Sequence, residues 1–121
     1  MSKNSFLDAL TDSLPASMEV IWRQETGSTN DDLKAAARQN AFTHPVLLTV
    51  ERQNAGRGTH GRGWRMAELA MIFSLGLPLR KGLLSAPPGI LSIAAAMSIA
   101  QSASMASTEK VLVKWPNDIW T

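Results

Sequence analysis

The chain has 121 residues, 45% of them hydrophobic and 18% charged, which suits one ordered domain with a hydrophobic core and excludes a disordered tail. Twelve basic and ten acidic residues leave a net charge of +2. The sequence pI of about 9.4 reflects the absence of Cys and Tyr, which would titrate between His and Lys, rather than a basic surface, so a broad nucleic-acid-binding face is not indicated. With no cysteine there is no disulfide framework and no thiolate metal site, which fits a reducing, cytoplasmic setting. The first residues carry no basic segment followed by an apolar one, so no secretory leader is expected.

In chain order, Phe6, Leu7, Leu10 and Leu14 fall at helical spacing, and Pro15 stops the helix they imply. Glu19 to Glu25 is rich in β-formers and predicts a strand ended by Gly27. Ser28 to Arg38 announces a helix. Thr29 or Asn30 can cap it, Asp31 and Asp32 complement its positive end, and three alanines propagate it. Val46 to Val50 is a short apolar run after Pro45 and predicts a buried strand, as does Ala70 to Leu77 before Pro78. Pro87 or Pro88 suits the first turn of a helix running to about Ala106. Its apolar stretch is interrupted by Ser92, Ser98, Gln101, Ser102 and Ser104, so it reads as a buried helix and not a membrane span. Lys110 to Trp115 alternates as a strand, and Pro116, Asn117 and Asp118 make a turn. The order implies a mixed α/β or α+β domain with at least one antiparallel strand pair.

The chemistry concentrates between Arg52 and Arg65, which hold four of the eight glycines and four of the twelve basic residues, with no acid among them. Glycines let main-chain N–H groups approach a ligand closely, and consecutive N–H groups form anion-binding concavities. Guanidinium forks match phosphate oxygens, and Trp64 offers a stacking face. The loop therefore suits a phosphate-bearing ligand, with a solvated turn as the plain alternative. It is neither a P-loop nor a dinucleotide fingerprint. His60 reads as a surface loop residue. With His44 the only other histidine, no histidine metal cluster can be assembled.

Three segments, Thr26-Gly-Ser-Thr-Asn-Asp31, Glu51-Arg-Gln-Asn-Ala-Gly-Arg-Gly-Thr-His-Gly-Arg-Gly-Trp64 and Val113-Lys-Trp-Pro-Asn-Asp-Ile119, together resemble the biotin protein ligase family in the same order. The resemblance implies the mixed α+β catalytic fold that this family shares with class II aminoacyl-tRNA synthetases. It also implies a two-step reaction using ATP, biotin and Mg²⁺, in which biotinyl-AMP forms and its biotinyl group passes to a lysine of a biotin carboxyl carrier protein. By carry-over, Ser28, Thr29, Asn30 and Gln53 would line the pocket of the ureido ring. Gly56, Arg57, Gly58 and Thr59 would wrap biotin and the phosphate, Arg62 would meet phosphate oxygens, and Trp64 would pack near the adenine. Lys114 would lie near the phosphates, Asn117 would read the adenine edge, and Asp118 would orient the turn or help to hold the metal. Arg57, Arg62 and Lys114 are the candidates for catalysis; no metal ligand is certain. Trp115 reads as core, and Trp22 and Trp120 as packing.

Two departures from the family pattern carry expectations. Thr59 stands where the family commonly has arginine, which removes one charge-assisted contact. The sequence also stops at Thr121, just after the third motif, so the chain is expected to be one domain, the amino-terminal part of the catalytic unit, with little ligase activity alone and an unpaired edge at 110–115. The short stretch before Ser28 points to a ligase without a DNA-binding module, and neither DNA nor a membrane is an expected partner; a homodimer is left open. The alternative is a small nucleic-acid-binding module that uses residues 52–65 with Trp64 as platform.

Overall fold

The computed structural model describes residues 3–40, 42–68, 70–78, 85, 87–115 and 117–121, without the side chains of Lys3, Asn4, Thr59 and Pro88. Two compact units emerge, Met1–Pro78 and Leu79–Thr121.

The first unit runs α1 (Lys3–Ser13), β1 (Glu19–Thr26), α2 (Thr29–Gln39), β2 (Val46–Gln53), a single 3₁₀ turn (Thr59–Gly61) and β3 (Ile72–Gly76). The sheet order is β1-β2-β3. β1 and β2 are parallel, as a strand–helix–strand unit requires, with Glu19 opposite Val46 and Thr26 opposite Gln53. β3 returns antiparallel along β2, with Leu48 opposite Ser74. β2 is buried over Val46 to Val50 because it is the central strand. Leu33 from α2 packs on Val46, Leu48 and Val50, flanked by Ile21, Phe42 and Ile72.

The parallel register is what positions the site. Both β1 and β2 finish at the same edge of the sheet, so the segments that leave them, residues 26–31 and 53–58, emerge side by side. Main-chain bonds then stitch the two exits: Asn54 N–H donates to the Thr26 carbonyl at 3.0 Å and Ala55 N–H to the Gly27 carbonyl at 2.8 Å.

Several details differ from the sequence reading. The cap of α2 is Ser28, not Thr29 or Asn30. Ser28 has extended backbone, and its hydroxyl accepts from Asp31 N–H, while Thr29 is already helical. β3 is half-buried rather than buried: Phe73 and Leu75 are exposed, while Gly76 is enclosed. Lying at the sheet edge, β3 has one face covered.

The second unit contains α3 (Pro88–Ala106), β4 (Leu112–Lys114) and β5 (Asp118–Trp120). The strand expected at 110–115 is shorter, and among the described residues it has one partner: β5 returns antiparallel with Leu112 opposite Trp120 and Lys114 opposite Asp118, which leaves the other edge of β4 unpaired. Asp118 therefore begins a strand instead of belonging to the turn, Asn117 keeps its turn position, and Pro116 lies outside the described residues.

Pro88 occupies the first turn of α3, as expected. Burial does not follow. Among the described residues only Ala96 and Ala100 of α3 are buried, and Ile90, Leu91, Met97, Ile99 and Met105 are exposed. The apolar residues are distributed around the helix, and among the described residues of its own unit α3 packs on β4 and β5, two short strands. By length and composition alone Gly89–Ala106 would suffice to cross a membrane, with mean hydropathy 1.4 and 11% buried.

Candidate functional site

The helix cap, the end of β2 and the inner face of β3 converge on one polar cluster in the first unit. Thr29, only 3% exposed, donates its backbone N–H to Gln53 Oε1 at 2.9 Å, and its hydroxyl donates to the same oxygen at 3.3 Å. The Thr29 hydroxyl also meets the Ser74 hydroxyl at 2.8 Å. A buried polar residue at a helix start is tolerable only when its groups are paired, and here all of them are. Ser74 lies in the strand expected over Ala70 to Leu77 and outside the three sequence motifs. Its signal was positional: residues 72, 74 and 76 share the inward face of β3, and Ser74 is the polar one among Ile72, Ser74 and Gly76.

The loop after β2 closes tightly. Gly58 N–H donates to the Arg62 carbonyl at 2.9 Å, Trp64 N–H reaches the Gly56 carbonyl at 3.3 Å, and Arg57 pairs with Gly63 in an antiparallel bridge. At the tip His60 and Gly61 both adopt left-handed conformations, φ 61° and 72°. A glycine suits that φ; the histidine is held there by the tight hairpin, and it is exposed, as a loop residue. Gly56 answers a different need, because a Cβ there would lie 2.3 Å from Gln53 Nε2. The absent side chain is what lets the Gln53 amide lie against the loop.

The loop carries no acid of its own, but its neighbours supply two. Arg52 pairs with Glu25 of β1 at 2.9 Å, and Arg57 pairs with Asp31 in the first turn of α2. Asn54 Nδ2 adds a bond to Glu25 at 2.8 Å. Arg23 holds Asp32 at 2.8 Å, and Thr26 donates to the same carboxylate at 2.6 Å. Arg62 and Arg65 make no ion pair among the described residues, so Arg62 is the cation of the 56–62 stretch left uncommitted. Trp64 is 60% exposed, which rules out a role as core anchor for the loop and leaves its face available for stacking.

The structure thus brings together Ser28, Thr29, Asn30, Gln53, Gly56 and Arg57 at the shared exit of β1 and β2, with Gly58, Arg62 and Trp64 on the attached hairpin. The Thr59 side chain lies outside the described residues, while its backbone opens the 3₁₀ turn.

Lys114, Asn117 and Asp118 belong to the second unit. The Lys114 ammonium sits 4.5 Å from the centroid of the Trp120 ring, a cation–π contact across the β4–β5 pair. Trp120, expected to pack, is 56% exposed, and its ring meets the Lys114 ammonium and not an apolar core. Trp115 does not match its expectation of core: it is 78% exposed, because it occupies the turn between two three-residue strands. Among the described residues no group of three His, Asp or Glu side chains could hold a metal ion.

A separate cavity of about 350 Å³ lies at the opposite end of α2, lined by Ile21, Leu33, Phe42 and Val46 with Glu19 and His44. Glu19 and His44 are bonded to each other at 2.8 Å, and the cavity presents apolar walls without the loop's donors.

Comparison with known proteins identifies the family and the fold. Residues 22–121 match the Biotin/lipoate A/B protein ligase family. The chain is 39% identical over 107 residues to the biotin--[acetyl-CoA-carboxylase] ligase of Mycobacterium tuberculosis, covering 81% of this chain and 40% of that protein. It is 30% identical over 105 residues to the bifunctional ligase/repressor BirA of Bacillus spizizenii, covering 83% and 30%. Among solved structures it resembles the biotin protein ligase of Leishmania major in complex with biotin, with TM-score 0.53 and 25% identity over 88% of this chain and 47% of that one. The complex of the same enzyme with biotinyl-5-AMP gives TM-score 0.54 and 26% identity at the same coverage. The expected mixed α/β class, that of the biotin ligases, is the one found. The chain spans less than half the length of each of these relatives.

Proposed function

Since the chain belongs to the biotin/lipoate A/B protein ligase family, we propose that it carries the biotin-binding and adenylate-binding elements of an ATP-dependent biotin–protein ligase. The observation that carries the reading is the convergence of Thr29, Gln53 and the Gly56–Arg62 hairpin at one edge of the sheet.

The chemistry would be positional. Biotin's carboxylate oxygen attacks the α-phosphorus of ATP, the bond to the bridging oxygen breaks, and pyrophosphate leaves with the electron pair. The ε-amine of a lysine on a biotin carboxyl carrier protein then attacks the acyl carbon of biotinyl-5′-AMP, AMP leaves, and the amine loses a proton. No enzyme nucleophile is needed. What the protein must supply is orientation of two bound reactants and neutralisation of developing phosphate charge.

Ser28, Thr29, Asn30 and Gln53 present small hydroxyl and amide groups suited to a urea. The main-chain amides of residues 56–58 and the Arg57 and Arg62 guanidinium groups suit the phosphate. Trp64 offers a face for the adenine. Lys114 and Asn117 would serve phosphate and adenine. Mg²⁺ would be carried by the triphosphate rather than by a resident cluster, the usual habit of this ion, with Asp118 as an available carboxylate. The setting proposed is the cytoplasm, where carboxylase carrier domains are available as acceptors.

The test is thermal stabilisation of the 121-residue chain. Biotin or biotinyl-5′-AMP at a hundred times its dissociation constant should stabilise it by about 2.7 kcal/mol, seen as a raised melting temperature. Oligonucleotides should leave the melting temperature where it is. No shift with either biotin or the adenylate would reject the reading.

A further inference from the structure

Proton bookkeeping around Thr29 fixes which way the Gln53 amide faces. The Thr29 backbone N–H can only donate, so the Gln53 atom 2.9 Å away must be the carbonyl oxygen Oε1. That oxygen also accepts from the Thr29 hydroxyl. A hydroxyl has a single proton; when Thr29 directs its own to Gln53, the bond between Ser74 and Thr29 at 2.8 Å runs from Ser74 to Thr29. The result is a one-way chain: Ser74 O–H to Thr29 O–H to Gln53 Oε1. Each donor in such a chain polarises the next.

We infer that Ser74 is a positioning residue for ligand recognition: through Thr29 it pins the Gln53 carboxamide with Oε1 turned inward and the two Nε2 protons turned toward the loop at Gly56. Nε2 lies where a Gly56 Cβ would stand only 2.3 Å from it, so the donor end faces the glycine loop. Among the described residues no acceptor meets the Nε2 protons. The recognition edge at Gln53 is therefore a donor edge. It takes a ligand atom that accepts, such as a urea carbonyl oxygen, and rejects a group that presents N–H at the same place, because two donors would then face each other across a half-buried site. This selection rests on the biotin reading above; the orientation of the amide does not.

β3 supplies the pinning hydroxyl from outside the family motifs on which the other site residues lie. Leu48 pairs with Ser74 in the sheet, and Ile72 on the same face of β3 packs against the core, so the serine's place is set by the strand register rather than by a mobile loop.

The experiment has two readouts on the intact chain. The first is the pair of Gln53 side-chain amide signals in the ¹H–¹⁵N NMR spectrum of the free protein, assigned by their loss in Gln53→Glu. Ser74→Ala should move this pair toward the position of a solvated glutamine amide, and Ser74→Thr, which keeps the hydroxyl, should leave it in place. The second readout is the ratio of affinities for biotin and 2-iminobiotin, in which an N–H replaces the carbonyl oxygen. The wild-type chain and Ser74→Thr should prefer biotin, and Ser74→Ala should lose up to roughly tenfold of that preference, the scale of one hydrogen bond. A melting curve of unchanged cooperativity shows that the alanine variant is folded; if it is not, Ser74→Cys, a much weaker donor, takes its place. Gln53 signals unmoved by loss of the hydroxyl would overturn the inference. Signals that move in a chain that binds no biotin would uphold Ser74 as the positioning residue and reject the ligand reading instead.

Discussion

The Arg57 guanidinium pairs with the Asp31 carboxylate, joining the glycine loop to the first turn of α2 across 26 positions of sequence. Asp31 also donates its N–H to the Ser28 hydroxyl, so one residue closes the helix cap and tethers the loop. Both side chains are largely exposed, and such pairs are worth roughly 0.2–1 kcal/mol. Asp31→Asn should therefore lower stability by less than about 1 kcal/mol, and the difference should shrink in high salt. Urea unfolding at low and high ionic strength checks this; a loss that ignores salt would show that the pair is not the source.

Gly56 is where the site is least able to accept a side chain. Gly56→Ala would drive a Cβ to 2.3 Å from Gln53 Nε2, and the flexible end of Gln53 must swing away. The expected outcome is a biotin affinity lowered by roughly tenfold. Because a side-chain end moves and no backbone must, free-chain stability should stay within about 1 kcal/mol of wild type. Calorimetric titration against denaturant unfolding separates the two effects, and an equal fall in both would contradict the steric account.

Leu48 anchors the core beneath the site, at 1% exposure the most enclosed large side chain described. Leu48→Ala should lose 2–5 kcal/mol, the range for buried leucines, a sum of lost transfer energy and residual cavity. Ser28→Ala should cost about 0.5–2 kcal/mol, since it orphans Asp31 N–H at the start of α2. Urea midpoints for the two variants give the comparison, and a Ser28→Ala loss exceeding that of Leu48→Ala would contradict this ranking.

Thr59 occupies the first position of the 3₁₀ turn, between Arg57 and Arg62. Thr59→Arg adds a cation to a loop whose other charges are partly engaged by Glu25 and Asp31. A charge-assisted contact of about 1.5–3 kcal/mol should slow release of bound biotinyl-5′-AMP by roughly ten- to a hundredfold. Stopped-flow displacement measures it, and an unchanged release rate would remove the loop from the phosphate.

Where periodicity and punctuation agree, the sequence is readable. Pro15, Gly27 and Pro45 bracket β1, α2 and β2, and the parallel β1–β2 unit follows from the strand–helix–strand order. What escaped depends on neighbours distant in sequence. Asp-Ile-Trp at 118–120 is too short to announce a strand until Leu112–Lys114 pairs with it. The composition of α3 says that it is apolar without saying what covers it, so burial was expected where exposure is found. In the site, the glycines and arginines of the loop were legible, whereas Glu25, Asp31 and Ser74 gained their roles only from strand register and the shared exit of β1 and β2.

The central claim is that Ser28–Asn30 and Gly56–Arg62 hold one ligand between them. Backbone amide NMR of the chain titrated with biotinyl-5′-AMP tests it most directly. The account predicts that signals from both segments shift together with a single dissociation constant, while those of α1 stay in place. Shifts confined to one segment, or two different constants for the two, would contradict it.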